Sequence, residues 1–382
     1  SSSLQNAQPL LVSVANTMIA IAHNGNLVNS STLRKELEQQ KPIFPLFYTS
    51  TDTEIILYLI AKNFGKGLLS AVKLALKSCQ GAYSLLIMTP DCLIAARDPH
   101  GFRPLCMGRK GASIAFASEN TAFRIAEFDF VREIEPGEIV TVCRDQVKSD
   151  WIVPKGKVKR ALCLFEHVYF ARPDSTFGGM NVHMFRKKLG ERLAKRFPVD
   201  ADVVTPIPDS GNSAALGYAA ESKIPYETCF VRNHYVGRTF IQPEQDARTF
   251  RVKLKLSVIK ETVKGKRVIV VDDSIVRGTT VKNRIMMLKD AGATQVHLRI
   301  SCPPIMFPCY YGIDFPNRDE LIAAKLSVDG IRRFVGADSL EYLTLQDMLD
   351  VAEGDGYCTA CWNQDNPVQV VDSLHKLILE RT

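Results

Sequence analysis

No apolar run in this chain approaches the ~18 consecutive residues that a membrane-spanning helix needs, so nothing in its pattern calls for a bilayer. The opening Ser1-Ser2-Ser3-Leu4-Gln5-Asn6 lacks the basic and apolar regions of a targeting segment and reads like the interior of a protein. The ten cysteines have no regular spacing, and without a signal peptide they argue against a secreted disulfide scaffold. Reduced thiols or metal ligation in the cytoplasm are expected instead. Lys and Arg are not massed into a stripe with interleaved aromatics; a net charge of +7, scattered among 41 acidic residues, suits a polyanionic small molecule better than nucleic acid. Internal repeats and low-complexity segments are absent too.

What is present fits a soluble globular enzyme, with 46% hydrophobic and 23% charged residues, and 382 residues exceed one ordinary core. Two domains or three are expected. Up to about residue 150, short apolar runs of strand length (Thr17 to Ala22, Tyr83 to Met88, Gly137 to Val142) surround two helical stretches. One is Ser31 to Leu37, opening on a hydroxyl; the other is Asp52 to Ala61, with Asp52 read as its cap. This order predicts an α+β layered fold. The basic, Pro- and Gly-containing stretch Asp150 to Lys157 reads as a linker, dividing the chain into 1–150 and 151–382.

Beyond it, strand and helix alternate: Asp202 to Ile207, Ser213 to Ser222, Lys266 to Val271, Val281 to Ala291 and Val296 to Ser301. Continuous apolar strands between helices predict a parallel sheet buried on both faces, an α/β fold. The tail from Pro367 to Leu379 has helical spacing and is expected to pack on the body.

The most informative run is Val268-Ile269-Val270-Val271-Asp272-Asp273-Ser274-Ile275-Val276-Arg277-Gly278-Thr279-Thr280. An apolar strand ends in two carboxylates, and a short hydroxyl-rich loop then opens a helix. Ligands of open α/β sheets sit beyond the carboxyl ends of strands, so these groups face a crevice. Loop amides, the helix N-terminus and the hydroxyls of Ser274, Thr279 and Thr280 suit a phosphate, and Gly278 lets the backbone come close. Adjacent carboxylates suit vicinal sugar hydroxyls and a shared Mg²⁺. An isolated Asp-Asp after a strand is ordinarily a solvated turn; the whole run is what sets this one apart. Val203 to Gly211 supplies a second strand-to-loop junction, with Asp209 and Ser210 before a small-residue helix.

The long run resembles the signature with which type I phosphoribosyltransferases bind 5-phosphoribosyl-1-pyrophosphate (PRPP). Other segments widen the resemblance to the glutamine PRPP amidotransferase family over essentially the whole chain. Tyr235-Val236-Gly237-Arg238-Thr239-Phe240-Ile241 is close to that family's closing loop; His23-Asn24-Gly25-Asn26-Leu27 looks like its oxyanion segment; Ser50 to Glu54 and Arg97 to Leu105 are further hallmarks. The resemblance implies an αββα sandwich of the N-terminal-nucleophile hydrolase type, lacking its start, followed by the phosphoribosyltransferase domain. It implies PRPP contacts from Asp209, Ser210, Arg238, Thr239, Asp272, Asp273, Ser274, Arg277, Gly278, Thr279 and Thr280, with Mg²⁺ on Ser210, Asp272 and Asp273. Asn24 and Gly25 would stabilise the oxyanion, Asp52 would hold glutamine, and His23 would be structural.

The chain departs from the family at its start. The family's nucleophile is an N-terminal cysteine, whereas Ser1 stands only 23 residues before Asn24, so the first few dozen residues are expected to be missing and glutamine-dependent activity to be lost, with ammonia-dependent transfer surviving. One branch of the family carries a four-iron four-sulfur cluster, and its four cysteine contexts fall on Cys163, Cys309, Cys358 and Cys361; Zn²⁺ on the same thiols is the alternative. Cys79, Cys92, Cys106, Cys143, Cys229 and Cys302 are read as core residues. The family further implies phosphoribosylamine synthesis for purines, a homotetramer, purine nucleotide inhibitors, and a cytoplasmic location, or a plastid one in a plant. Two rivals stay open: a plain base phosphoribosyltransferase, and a PRPP-sensing regulator that binds nucleic acid.

Overall fold

Along Thr17–Leu27, Ile19 and Ile21 alternate with smaller residues, and a period of two sends both isoleucines to one fully buried face. That strand is the second of six in an antiparallel sheet, ordered Leu10–Val14, Thr17–Leu27, Gly81–Met88, Cys92–Arg97, Glu138–Cys143 and Gln146–Trp151. The computed structural model describes residues 4–14, 16–39, 47–144, 146–232, 256–315 and 317–370.

Three helices, Ser30–Glu38, Asp52–Asn63 and Leu68–Ser78, cover the isoleucine face. The middle one is buried continuously from Thr53 to Ile60, as expected of a helix that is apolar nearly all round. Asp52 is not its cap: Thr51 is, accepting from the Thr53 N–H at 2.9 Å, which leaves the Asp52 carboxylate for other partners. On the opposite face a three-stranded sheet, Ser113–Ala117, Cys106–Lys110 and Asp129–Glu133, joins Leu105, Met107 and Ile134 to Ala95 and Val140. Beyond it, Phe123 of the five-residue helix Thr121–Ile125 lies against Gly108.

The second half is built on a parallel sheet of Val203–Pro206, Arg267–Asp272, Gln295–Ile300 and Ser339–Tyr342. Val268 to Val271 are at most 1% exposed, which is why their run is continuously apolar rather than alternating. Helices Val182–Arg196 and Asn212–Ser222 pack backbone to backbone: a Cβ on Gly190 would lie 1.8 Å from the Ala214 carbonyl oxygen, and one on Gly217 1.9 Å from that of Lys187.

Two expectations change here. The linker does not begin at Asp150: Gln146–Trp151 is the edge strand, Lys73 holds Asp150 at 2.7 Å, and Ile152 enters the first core. Ladder pairing of Trp151 with Glu138 outweighs the basic composition, and only Pro154 to Lys157 make a turn. Nor are Cys92 and Cys143 reduced core residues. They are directly paired on adjacent antiparallel strands with Cα atoms 4.3 Å apart, half-buried, and joined as a disulfide. Cys79, Cys106, Cys229 and Cys302 are buried free thiols. The tail expected to be helical lies outside the described residues from 371 onward.

Candidate functional site

Parallel pairing of Asp272 with Ile300 carries the acidic pair to the carboxyl end of the central strand, where both side chains sit in the floor of a cleft of about 410 Å³. Gly278, at φ 77°, then turns the chain into helix Thr279–Asp290, a left-handed position that a Cβ would strain and crowd against Ile322. The adjacent loop lies flat on the strand end: Gly211 has room for no Cβ, which would stand 2.3 Å from the Val271 carbonyl oxygen. That close approach brings Ser210 over Asp272, its hydroxyl donating to Oδ1 at 3.4 Å.

Both carboxylates are 4% exposed. Asp272 accepts from the Asp273 N–H at 3.0 Å and faces the Arg284 guanidinium at 3.7 Å, while the Ser274 hydroxyl donates to Asp273. Burial, and then the neighbouring charge of Asp273, push Asp272 well above the usual carboxylate range. Burial likewise lowers the Arg186 guanidinium to about 10, against the opposing pull of Asp273. Two adjacent buried acids at a helix N-terminus are chemically suited to a divalent cation with a phosphate beside it.

Of the expected PRPP residues, Ser210, Asp272, Asp273, Ser274, Arg277, Gly278, Thr279 and Thr280 line this one cleft. Arg277 does so with its guanidinium engaged to Glu320 at 2.9 Å. Asp209 is not brought in: it is largely exposed and pairs with Arg232 at 3.0 Å, because the loop that tucks Ser210 inward turns its neighbour outward. Arg238 and Thr239 lie outside the described residues. Sequence reasoning missed Arg284, Asp314 and the aromatic wall of Phe165, Tyr169, Phe170 and Phe315. Helical spacing held a signal for Arg284, four residues after Thr280 and so on the same face. The aromatic wall comes from distant segments and had none.

Asn24 and Gly25 lie mid-strand, opposite Ser84 and Tyr83, so the Asn-Gly pair is no hairpin turn. Two residues on, the Leu27 N–H donates to Asp52 Oδ2 at 2.8 Å, and Oδ1 of the same carboxylate pairs with His23 Nδ1 at 3.3 Å. Burial would lower the His23 pKa, but the Asp52 charge and hydrogen bond outweigh it and hold it raised. Burial would raise that of Asp52, and the His23 charge and hydrogen bond keep it lowered. Asp52 is thereby fixed to the strand that carries Asn24 and Gly25. The Arg97 to Leu105 segment is a buried knot: Arg97 donates to the carbonyls of Gly101, Arg103 and Ile134, and Asp98 accepts from His100 and Phe102 N–H groups.

The two halves meet at the Asn24 strand. Asn26 Nδ2 donates to the Tyr310 carbonyl at 2.9 Å, Phe102 stacks on Tyr311 at 4.2 Å, and a Cβ on Gly312 would stand 2.9 Å from the Gly25 Cα. Cys309 opens this loop, and its sulfur accepts from the Tyr311 N–H.

Cys163 and Cys358 are paired residues of a short parallel ladder, and the Cys361 carbonyl accepts from the Met306 and Phe307 N–H groups. All four candidate cysteines are buried. Burial first, then the charges of nearby groups, push the Cys163 thiol up to about 12; for Cys358 and Cys361, held well above the usual range, those charges include the neighbouring cysteines. Deprotonation of Cys163, Cys358 and Cys361 is thus disfavoured in part by their cysteine neighbours, and thiolate ligation would require a cation to offset it. Among the described residues, however, no group of three or more His, Cys, Asp or Glu is arranged to hold a metal ion. No described helix is long and apolar enough to cross a membrane.

Residues 2–124 match the family model of the glutamine amidotransferase domain. The chain is 47% identical over 372 residues to the chloroplastic amidophosphoribosyltransferase of Glycine max, covering 96% of itself and 64% of that protein. Against the amidophosphoribosyltransferase of Methanocaldococcus jannaschii it is again 47% identical, covering 96% of itself and 80% of the relative. It thus spans less than two thirds of the length of the Glycine max protein. The solved glutamine PRPP amidotransferase of B. subtilis, complexed with ADP and GMP, superposes with a TM-score of 0.92 at 44% identity, over 98% of this chain and 83% of that one. With matches of that identity across both sheets and both candidate sites, the chain belongs to the amidophosphoribosyltransferase family.

Proposed function

We propose that this protein makes 5-phosphoribosylamine, converting PRPP, glutamine and water into phosphoribosylamine, glutamate and pyrophosphate, the first committed step of purine synthesis. The observation that carries the reading is the buried acidic pair of Asp272 and Asp273 in one cleft with the Gly278 turn, with Ser210 laid across it. Ser274, Gly278, Thr279 and Thr280 cup the 5-phosphate, and the two carboxylates orient the ribose hydroxyls. Ser210, Asp272 and Asp273 would hold Mg²⁺, which neutralises charge on the departing pyrophosphate. Phe165, Tyr169, Phe170 and Phe315 keep water from the anomeric carbon. Arg238 and Thr239 are assigned to the same substrate on their sequence context.

Asn24 and Gly25 would steady the oxyanion formed from glutamine, and Asp52, fixed by His23 and Leu27, would grip the amino acid. Ammonia would then pass internally to the anomeric carbon. Cys163, Cys309, Cys358 and Cys361 would hold the iron-sulfur cluster, a structural clamp between the start of the second half, the sheet and the tail. A colourless protein purified without oxygen and carrying zinc would replace the cluster by Zn²⁺. We assign inhibition by purine nucleotides, because the B. subtilis relative was solved with ADP and GMP, a homotetramer on the family resemblance alone, and a cytoplasmic or, as in the plant relatives, plastid location.

The test is pyrophosphate release from PRPP, with ammonia and with glutamine. Ammonia-dependent release that persists without any free base is expected. Base-dependent release with none from ammonia would sink the reading and leave a plain phosphoribosyltransferase.

A further inference from the structure

Each acid in the cleft floor has a different counterpart. Asp273 takes the Ser274 hydroxyl. Asp272 Oδ1 takes the Asp273 N–H and the Ser210 hydroxyl, while Oδ2 faces the guanidinium of Arg284 at 3.7 Å. That separation is too long for a hydrogen bond, yet at a carboxylate 5% exposed it is short enough for a strong attraction. The guanidinium therefore balances charge without being locked in place. It makes no other ion pair among the described residues, whereas Arg277, the other cation on the cleft wall, is held by Glu320. Arg284 also stands four residues along the helix from Thr280, on the face that looks into the cleft.

We propose that Arg284 is a positioning residue that serves as the resident counter-cation of the Asp272–Asp273 pair before substrate binds and must be drawn off it when metal and substrate arrive together. The inference rests on the phosphoribosyl reading above. A divalent ion and the guanidinium compete for one carboxylate, so the ion alone binds weakly. A polyphosphate changes the balance, because it offers Arg284 oxygens that a planar guanidinium pairs with well and brings the metal further ligands of its own. Arg284 thus couples metal affinity to substrate occupancy and keeps the acidic pair from taking up free metal.

Mn²⁺ binding to the whole chain, followed by electron paramagnetic resonance with and without PRPP, tests this apart from activity. Wild type should bind Mn²⁺ weakly alone and tightly with PRPP. R284Q should bind Mn²⁺ alone about tenfold more tightly, the effect of removing one close, partly screened cation, and should lose a like share of the tightening by PRPP. R284K, which keeps the charge, should retain most of that tightening. If R284Q binds Mn²⁺ alone no better than wild type while PRPP still tightens it, or if R284K behaves as R284Q does, the role of Arg284 is overturned and the phosphoribosyl reading stands. If neither wild type nor R284Q binds Mn²⁺ with or without PRPP, both fall.

Discussion

The two candidate sites of this chain are made in opposite ways. In the second half, one strand end and the loop behind it provide most of the site, so Asp272 to Thr280 are contiguous and share one cleft. In the first half the working positions lie in the middle of an antiparallel strand and are held mostly from outside: Asp52 comes from a helix and is steadied by His23 of the strand itself, and Tyr310 and Gly312 come from the other half of the molecule. A site at a strand end is assembled by local chain direction, which parallel α/β sheets exploit. A mid-strand site depends on what packs against it, and so on distant residues.

The comparison breaks most sharply at the acidic pair. Joint replacement of Asp272 and Asp273 by Asn should lower ammonia-dependent pyrophosphate release by about 10³-fold or more, without lowering the thermal midpoint, since it removes adjacent buried like charges. Asp52→Asn should spare that activity; equal losses in both variants would erase the division into two sites. Next in size, Gly217→Ala puts a Cβ 1.9 Å from the Lys187 carbonyl oxygen and should cost about 3 kcal/mol in denaturant unfolding, affecting both activities only through stability. Gly312→Ala is subtler. With φ at 98° and the Gly25 Cα 2.9 Å from its new Cβ, it should displace the Asn24 strand and reduce glutamine use about 10- to 100-fold relative to ammonia use. An unchanged ratio would show that the mid-strand site does not depend on the contact.

The smallest effect concerns the His23–Asp52 pair. A raised His23 contributes stability that is full below its ordinary 6.5 and is lost as pH rises through the raised value. A lowered Asp52 contributes stability present above its ordinary 3.8 and lost as pH falls through the lowered value. His23→Gln should therefore destabilise by on the order of 1 kcal/mol between those limits and progressively less on either side. A difference that does not vary with pH would leave the pair without an ionic role.

What could be read in advance follows the same division. The alternation of apolar strand and helix after residue 200 and the Asp272 to Thr280 run were visible because each rests on neighbours in sequence. The Asp52 cap was misread because Asp and Thr both suit that position, and only the distant Leu27 N–H decides which carries it. Cys92 and Cys143 gave no sign of pairing, since 51 residues separate them and strand register alone sets them face to face. Arg284 was within reach of helical periodicity, but a cation on a helix is ordinarily solvated, and the buried partner that distinguishes it is not in its own segment.

By itself, then, the chain's order of residues determined that an apolar strand would end in two acids and turn at Gly278 into a helix, because those preferences act over a few bonds. Tertiary structure alone decided that Ser210 lies over Asp272, that Asp209 turns away to Arg232, and that the Asn24 strand rests on Gly312. Those outcomes depend on which backbone segments approach closely enough to exclude a Cβ, and only the folded core sets such distances.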